Sequence, residues 1–196
     1  MARRAKDRSG RYVSRGGDKL ERALEGFGYD PTGIVSLDLG ANVGGFTDCL
    51  LQHGASRVYS VDTGYGVLEW KLRQDDRVVV MERVNALHVE LPEPVDLIVA
   101  DVGWTSVTRY VPNALRLLRD GGCCIALLKP QYEVSKDELK KGRVDSATCI
   151  RIADTVIERL KEQGIEVVGN LDPGLDSGGR NPERFLMIAN PVDVGV

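Results

Sequence analysis

Five short apolar runs stand out along the chain, at 34–39, 57–61, 77–81, 95–100 and 123–128, each bounded by glycine, charge or turn residues. Their apolar character is nearly continuous rather than alternating. That predicts strands of a parallel sheet covered on both faces. Helical spacing separates most of them. The stretch 107–118 predicts a helix closed by Asp120, Gly121 and Gly122, and shorter helices are predicted over 46–52 and 67–73. An amphipathic helix over 17–27 rests on Leu20, Leu24 and Phe27, and a longer one over 147–162 stops at Gly164. The last two strands, 165–168 and 184–189, are joined by a stretch with no helical signature, which favours an antiparallel strand at the sheet edge. The fold class is therefore α/β, a Rossmann-like layout with a mostly parallel sheet.

Composition adds bounds. At 196 residues the chain suits one domain, read as a basic flexible segment over 1–13 and a single folded unit over 14–196. No apolar run approaches the length of a membrane span, and no apolar stretch follows the basic start, so a cytoplasmic location is expected. Cys49, Cys123, Cys124 and Cys149 show no paired metal-ligand spacing and histidines number two, so no metal site is expected. Charge is uneven. Residues 1–22 hold eight Lys or Arg against three acids, leaving the remainder at −8 by difference from the whole-chain −3. Such a basic arm reads equally as a solvated tail or as a contact for a polyanion.

In an open α/β sheet, ligands bind beyond the carboxyl ends of the strands. The first strand runs into Asp38, Gly40, Ala41, Asn42, Gly44, Gly45 and Phe46, a glycine-rich turn that opens the next helix. The second ends at Asp62, an acid placed to bridge the two hydroxyls of a cofactor ribose. This pattern suits nucleotide binding in general, and simple tight turning remains an alternative. It is not G-x-G-x-x-G and no GKS/T follows, so neither NAD nor ATP is favoured. The closing strand pair points instead to the methyltransferase variant of the fold. The fourth and fifth strands end at Asp101 and Lys129, polar residues where an apolar run meets the ligand edge. Core packing is the expected fate of Trp70, whereas Trp104, just past Asp101, is a candidate to stack on a base.

The stretches Tyr12–Leu20, Gly44–Leu51, Val61–Gly66, Trp70–Arg73 and Leu128–Glu133, taken in order, resemble the TlyA (haemolysin A) family of FtsJ-like 2′-O-ribose RNA methyltransferases. The resemblance spans 12 to about 190. It implies a seven-stranded methyltransferase sheet, S-adenosylmethionine as cofactor and RNA, ribosomal RNA in particular, as substrate. It also implies a catalytic set of Lys19, Asp101, Lys129 and Glu183. Cofactor contacts would come from the Asp38–Phe46 loop, Asp62 and Asp101, with Asn85 near the adenine. In that set Lys129, beside a second cation, serves as base or stabilises the developing alkoxide. Asp101 holds the ammonium groups, Lys19 reinforces the field or contacts phosphate, and Glu183 orients Lys129 or the hydroxyl. Family members usually begin with a small S4 RNA-binding domain, and no counterpart is expected in the first 22 residues. Asp101-Val102-Gly103-Trp104-Thr105 stands where the family more usually has Asp-Val-Ser-Phe-Ile, and Asn181 and Glu183 keep the spacing of the family's Gly-Asn-x-Glu-Phe. A methyltransferase of a small molecule or protein, and a non-catalytic cofactor-binding module, remain alternatives.

Overall fold

The computed structural model describes residues 10–135, 139, 142–174 and 181–190. In chain order the elements are α1 (Arg15–Phe27), β1 (Val35–Leu39), α2 (Gly45–Gln52), β2 (Arg57–Asp62), α3 (Trp70–Arg73) and β3 (Val78–Glu82). Then follow β4 (Val95–Ala100), α4 (Val107–Leu115), β5 (Leu118–Leu128), a 3-10 turn at Pro130–Tyr132, α5 (Ser146–Glu162), β6 (Val167–Leu171) and β7 (Arg184–Ala189). The seven strands form one sheet in the order β3-β2-β1-β4-β5-β7-β6. Strands β1 to β5 are parallel, and β7 runs antiparallel to both β5 and β6. The antiparallel strand is thus inserted one place in from the edge. Phe185, Leu186 and Ile188 of β7 are fully buried, while β6 alternates between half-buried and exposed residues, as an edge strand does.

Alternation along the strands splits the core into two layers. Ile98 and Ala100 of β4 face Val107, Tyr110 and Val111 of α4 and Ile152 and Val156 of α5. Leu97 and Val99 face the other way, with Leu20 and Leu24 of α1 and Phe46, Cys49 and Leu50 of α2. Phe46 meets Phe185 with ring centroids 6.0 Å apart. All four cysteines are buried and unbridged, consistent with small core residues. No described helix is long and apolar enough to cross a membrane.

Several boundaries depart from the sequence reading. Helix α1 starts at Arg15 because Ser14 caps it, its hydroxyl accepting from the Gly16 N–H. Ahead of it the chain is not a free tail: Tyr12 is buried, and the Val13 N–H donates to Asp48 Oδ2 at 2.8 Å. Asp48 also accepts from Lys71 Nζ at 2.9 Å, so one carboxylate joins the entry segment to α2 and to α3. Residues 1–9 lie outside the described residues. Helix α4 ends at Leu115, and the predicted stop at 120–122 is instead a bulge within β5. Leu118 pairs with Val95 and Cys123 with Leu97, so the residues between are looped out of register. Helix α3 is a single turn begun by the Glu69 side chain. It packs through Leu72 and leaves Trp70 68 % exposed, against the expectation of a core tryptophan. Strand β6 begins two residues late because Ile165 still closes α5, its N–H donating to the Leu160 carbonyl.

Candidate active site

The carboxyl ends of β1, β2, β4 and β5 open onto a cleft of about 680 Å³ whose lining includes Gly40, Asn42, Asp62, Asn85, Asp101 and Lys129. A recess of about 190 Å³ adjoins it, lined among others by Ser14, Lys19, Asp38, Ala41, Gly45 and Phe46. Gly40, Asn42 and Asp101 line both, so Asp101 stands on the wall they share.

Two glycines make this junction. Gly40 has φ +83, and a Cβ there would lie 2.8 Å from the Asp101 carbonyl oxygen, so the ends of β1 and β4 approach only because that atom is missing. At Gly45 a Cβ would lie 2.2 Å from Ser14 Oγ and 3.0 Å from the Gly17 nitrogen. The first turns of α1 and α2 therefore touch at the recess, which brings Lys19 to it. Gly44, expected among the cofactor contacts, lines neither space. It turns the chain into α2 at φ +97, and a Cβ there would strike Leu72.

The acids are individually placed. Asp62 accepts from the Asn42 N–H (2.9 Å) and the Gly64 N–H (2.7 Å), which orients its carboxylate at the cleft wall. Asn85 accepts from the Leu87 N–H, a local turn that presents its amide to the same cleft. Asp38 is fully buried. The Thr47 N–H and hydroxyl both donate to its Oδ2, and the Ser60 hydroxyl lies 2.7 Å from that of Thr47. Its other oxygen, Oδ1, has no hydrogen-bond partner. Burial pushes this carboxyl up to about 7, with the nearby charge of Asp101 adding to the rise and the Thr47 bonds opposing it. The native state thus binds a proton that the unfolded chain, at the ordinary 3.8, has lost. Stability from that proton is full below the ordinary carboxylate range and is lost as pH rises through about 7. Urea titrations of the ligand-free protein should show this decline across that window, and Asp38→Asn should flatten it. Parallel pH curves for the two proteins would contradict the assignment.

The four residues expected to act together arrive as two ion pairs. Lys129 Nζ lies 2.5 Å from Asp101 Oδ1, an ion pair without an aligned hydrogen bond to that oxygen. Lys19 pairs with Glu183, the latter carried by the segment that leads into β7. Lys129 thus has a carboxylate as its ion-pair partner, and Glu183 is paired with Lys19. All four side chains are less than a third exposed.

Around the two pairs stand Trp104, the expected candidate for base stacking, and groups the sequence reading did not single out, Tyr132, Arg109 and Glu133. Trp104, 91 % exposed with φ +67, meets Tyr132 with ring centroids 5.8 Å apart, and both line the cleft with Arg109. Beneath them Glu133, its carboxyl raised by burial, accepts from the Ser106 hydroxyl and the Val107 N–H. It ties the strand end that carries Lys129 to the start of α4. In sequence Glu133 showed only as the last residue of the Leu128–Glu133 stretch, with no role attached.

The sequence profile of the FtsJ-like methyltransferases matches residues 12–190, which takes in every residue of the two ion pairs. The chain belongs to the FtsJ-like methyltransferase family. This FtsJ-like chain is 46 % identical over 142 residues to YqxC of Bacillus subtilis (strain 168), named for rRNA methylation. That match covers 68 % of the chain but half of the relative. It is 39 % identical over 188 residues to the 16S/23S rRNA (cytidine-2'-O)-methyltransferase TlyA of Mycobacterium tuberculosis (strain ATCC 25618 / H37Rv), covering 93 % of the chain and 70 % of the relative. A solved structure from Streptococcus thermophilus, described as a hemolysin, superimposes with a TM-score of 0.86 at 36 % identity, over 94 % of this chain and 70 % of that one.

Proposed function

We propose that this chain transfers the methyl group of S-adenosylmethionine to the 2′-oxygen of a ribose in RNA, ribosomal RNA being the substrate class its relatives' names support. The observation that carries the reading is the Lys129–Asp101 pair, Lys129 lining the cleft and Asp101 standing on the wall that cleft and recess share.

The two spaces suit the cofactor. Asp38 Oδ1 is a buried carboxylate oxygen with no donor, on a recess where the cofactor's ammonium would supply one. Asp62 and Asn85 offer a carboxylate and an amide to the ribose and the base in the larger cleft. Bound there, the cofactor supplies an electrophilic methyl group, whose transfer to oxygen leaves the electron pair of the broken bond on sulfur. The chain's own task is the proton. A ribose hydroxyl is a poor nucleophile until it is deprotonated, and Lys129 is the group of the cleft placed to receive that proton at Nζ. The resulting ammonium is stabilised by Asp101 beside it. Lys19, held by Glu183, adds positive potential at the recess. Trp104 presents its ring at the cleft mouth for the target base, a contact of about 1–3 kcal/mol in other stacking sites.

The test is transfer of labelled methyl from the cofactor to ribosomal RNA, free and in subunits, followed by nuclease digestion. Label is expected on ribose, and label confined to bases or to protein contradicts the reading. Titration calorimetry checks the cofactor half separately. Asp62→Ala should weaken S-adenosylmethionine at least tenfold, about 1.4 kcal/mol, and an unchanged affinity would remove Asp62 from the site.

A further inference from the structure

We infer that Arg109 binds a phosphate of the substrate strand beside the ribose served by Lys129, an inference that rests on RNA being the substrate. Arg109 lies in the first turn of α4, is exposed, and lines the same cleft as Asp101, Lys129, Trp104 and Tyr132. The two cations of that cleft differ. Lys129 is held by Asp101, whereas the Arg109 side chain has no ion-pair or hydrogen-bond partner among the described residues. Other basic side chains near the cleft and recess are matched within the fold, Lys19 by Glu183, Lys71 by Asp48 and Arg73 by Glu82, while Arg116 and Arg151, like Arg109, have no side-chain partner among the described residues but lie outside the cleft lining.

Its place in the helix sharpens the point. A cation in a first turn faces the positive end of the helix dipole, so α4 gains nothing from it, and the helix start is already satisfied. The Val107 N–H donates to Glu133, and the Thr108 N–H to the Ser106 hydroxyl. Arg109 therefore serves neither the cap nor a carboxylate. The cleft's three kinds of group match the three parts of a nucleotide: aromatic faces of Trp104 and Tyr132 for the base, Lys129 for the ribose hydroxyl, and the Arg109 fork for phosphate.

Arg109→Gln and Arg109→Lys are compared with wild type in methyl transfer to ribosomal RNA at saturating cofactor, over a range of RNA and salt concentrations. Arg109→Gln should raise KM for RNA about fivefold, as loss of an exposed charge contact does. It should leave kcat, melting temperature and cofactor affinity unchanged. Its plot of log kcat/KM against log salt should be shallower by about 0.7, one phosphate fewer on a single strand. Arg109→Lys, which keeps the charge, should recover the wild-type slope. A wild-type KM and slope in Arg109→Gln would overturn the phosphate contact alone. A wild type that labels no RNA would overturn the functional reading with it.

Discussion

Lys129→Ala should abolish methyl transfer, by a factor of roughly 10²–10⁴ at saturating RNA and cofactor, while cofactor affinity stays within about twofold of wild type. The separation follows from the layout. The residues offered to the cofactor sit at the ends of β1, β2 and β3, whereas Lys129 follows β5 on the far side of Asp101. Its removal takes away the proton acceptor and leaves those contacts in place. Asp101→Ala should give a loss of the same order, because the ammonium formed at Nζ would lack its counter-charge. Lys19→Ala and Glu183→Ala should cost less, since Lys19 meets the recess and not the cleft, and Glu183 acts through Lys19. Steady-state turnover with calorimetry on the same preparations checks the set. A fully active Lys129→Ala would end the 2′-O mechanism, even with the methyltransferase assignment intact.

Gly40→Ala should be among the most damaging single-methyl additions to the fold. The new Cβ would occupy a left-handed backbone position, at about 1–2 kcal/mol. It would also press on the Asp101 carbonyl oxygen at 2.8 Å, where the neighbour is backbone and cannot rotate away. Overpacking of that kind adds about 1–3 kcal/mol. Together they predict a loss of about 3 kcal/mol, read as a fall in Tm of roughly 6–12 °C for a chain of this size. The contact joins β1 to the residue that divides cleft from recess, so cofactor affinity should fall in parallel. A variant with wild-type Tm and wild-type affinity would show that the close approach is not required.

The sheet and its ligand edge were legible because each central strand is an apolar run that stops at a polar residue. Asp62, Asp101 and Lys129 all stand at such stops, with Asp38 one residue short of the end of β1, and the structure sets them at one edge. What could not be read was partnership across the chain. Nothing local in Glu183 says that its counter-ion is Lys19, a partner 164 positions away. Tyr12 looked like part of a basic tail because its burial depends on α2, which periodicity does not reveal. The end of α4 was misplaced because 116–122 is compatible with a helix exit, and only pairing of Leu118 with Val95 turns it into strand. Trp70 was assigned to the core on residue type, and a one-turn helix anchored by Leu72 turned it outward.

The insertion of β7 between β5 and β6 governs the order in which the molecule can be assembled. Strand β6 is made before β7 yet has no other strand to pair with, since its register runs only against β7. Until residues 184–189 arrive, the open side of β5 is an unpaired edge with an apolar run along it, a surface prone to join other chains. Closing the sheet on this side is a long-range encounter between β5 and the last strand. The same event delivers Glu183 to Lys19. A chain stalled before it would expose a sticky margin and hold an incomplete catalytic set, so misfolded intermediates of this protein should be inactive as well as aggregation-prone.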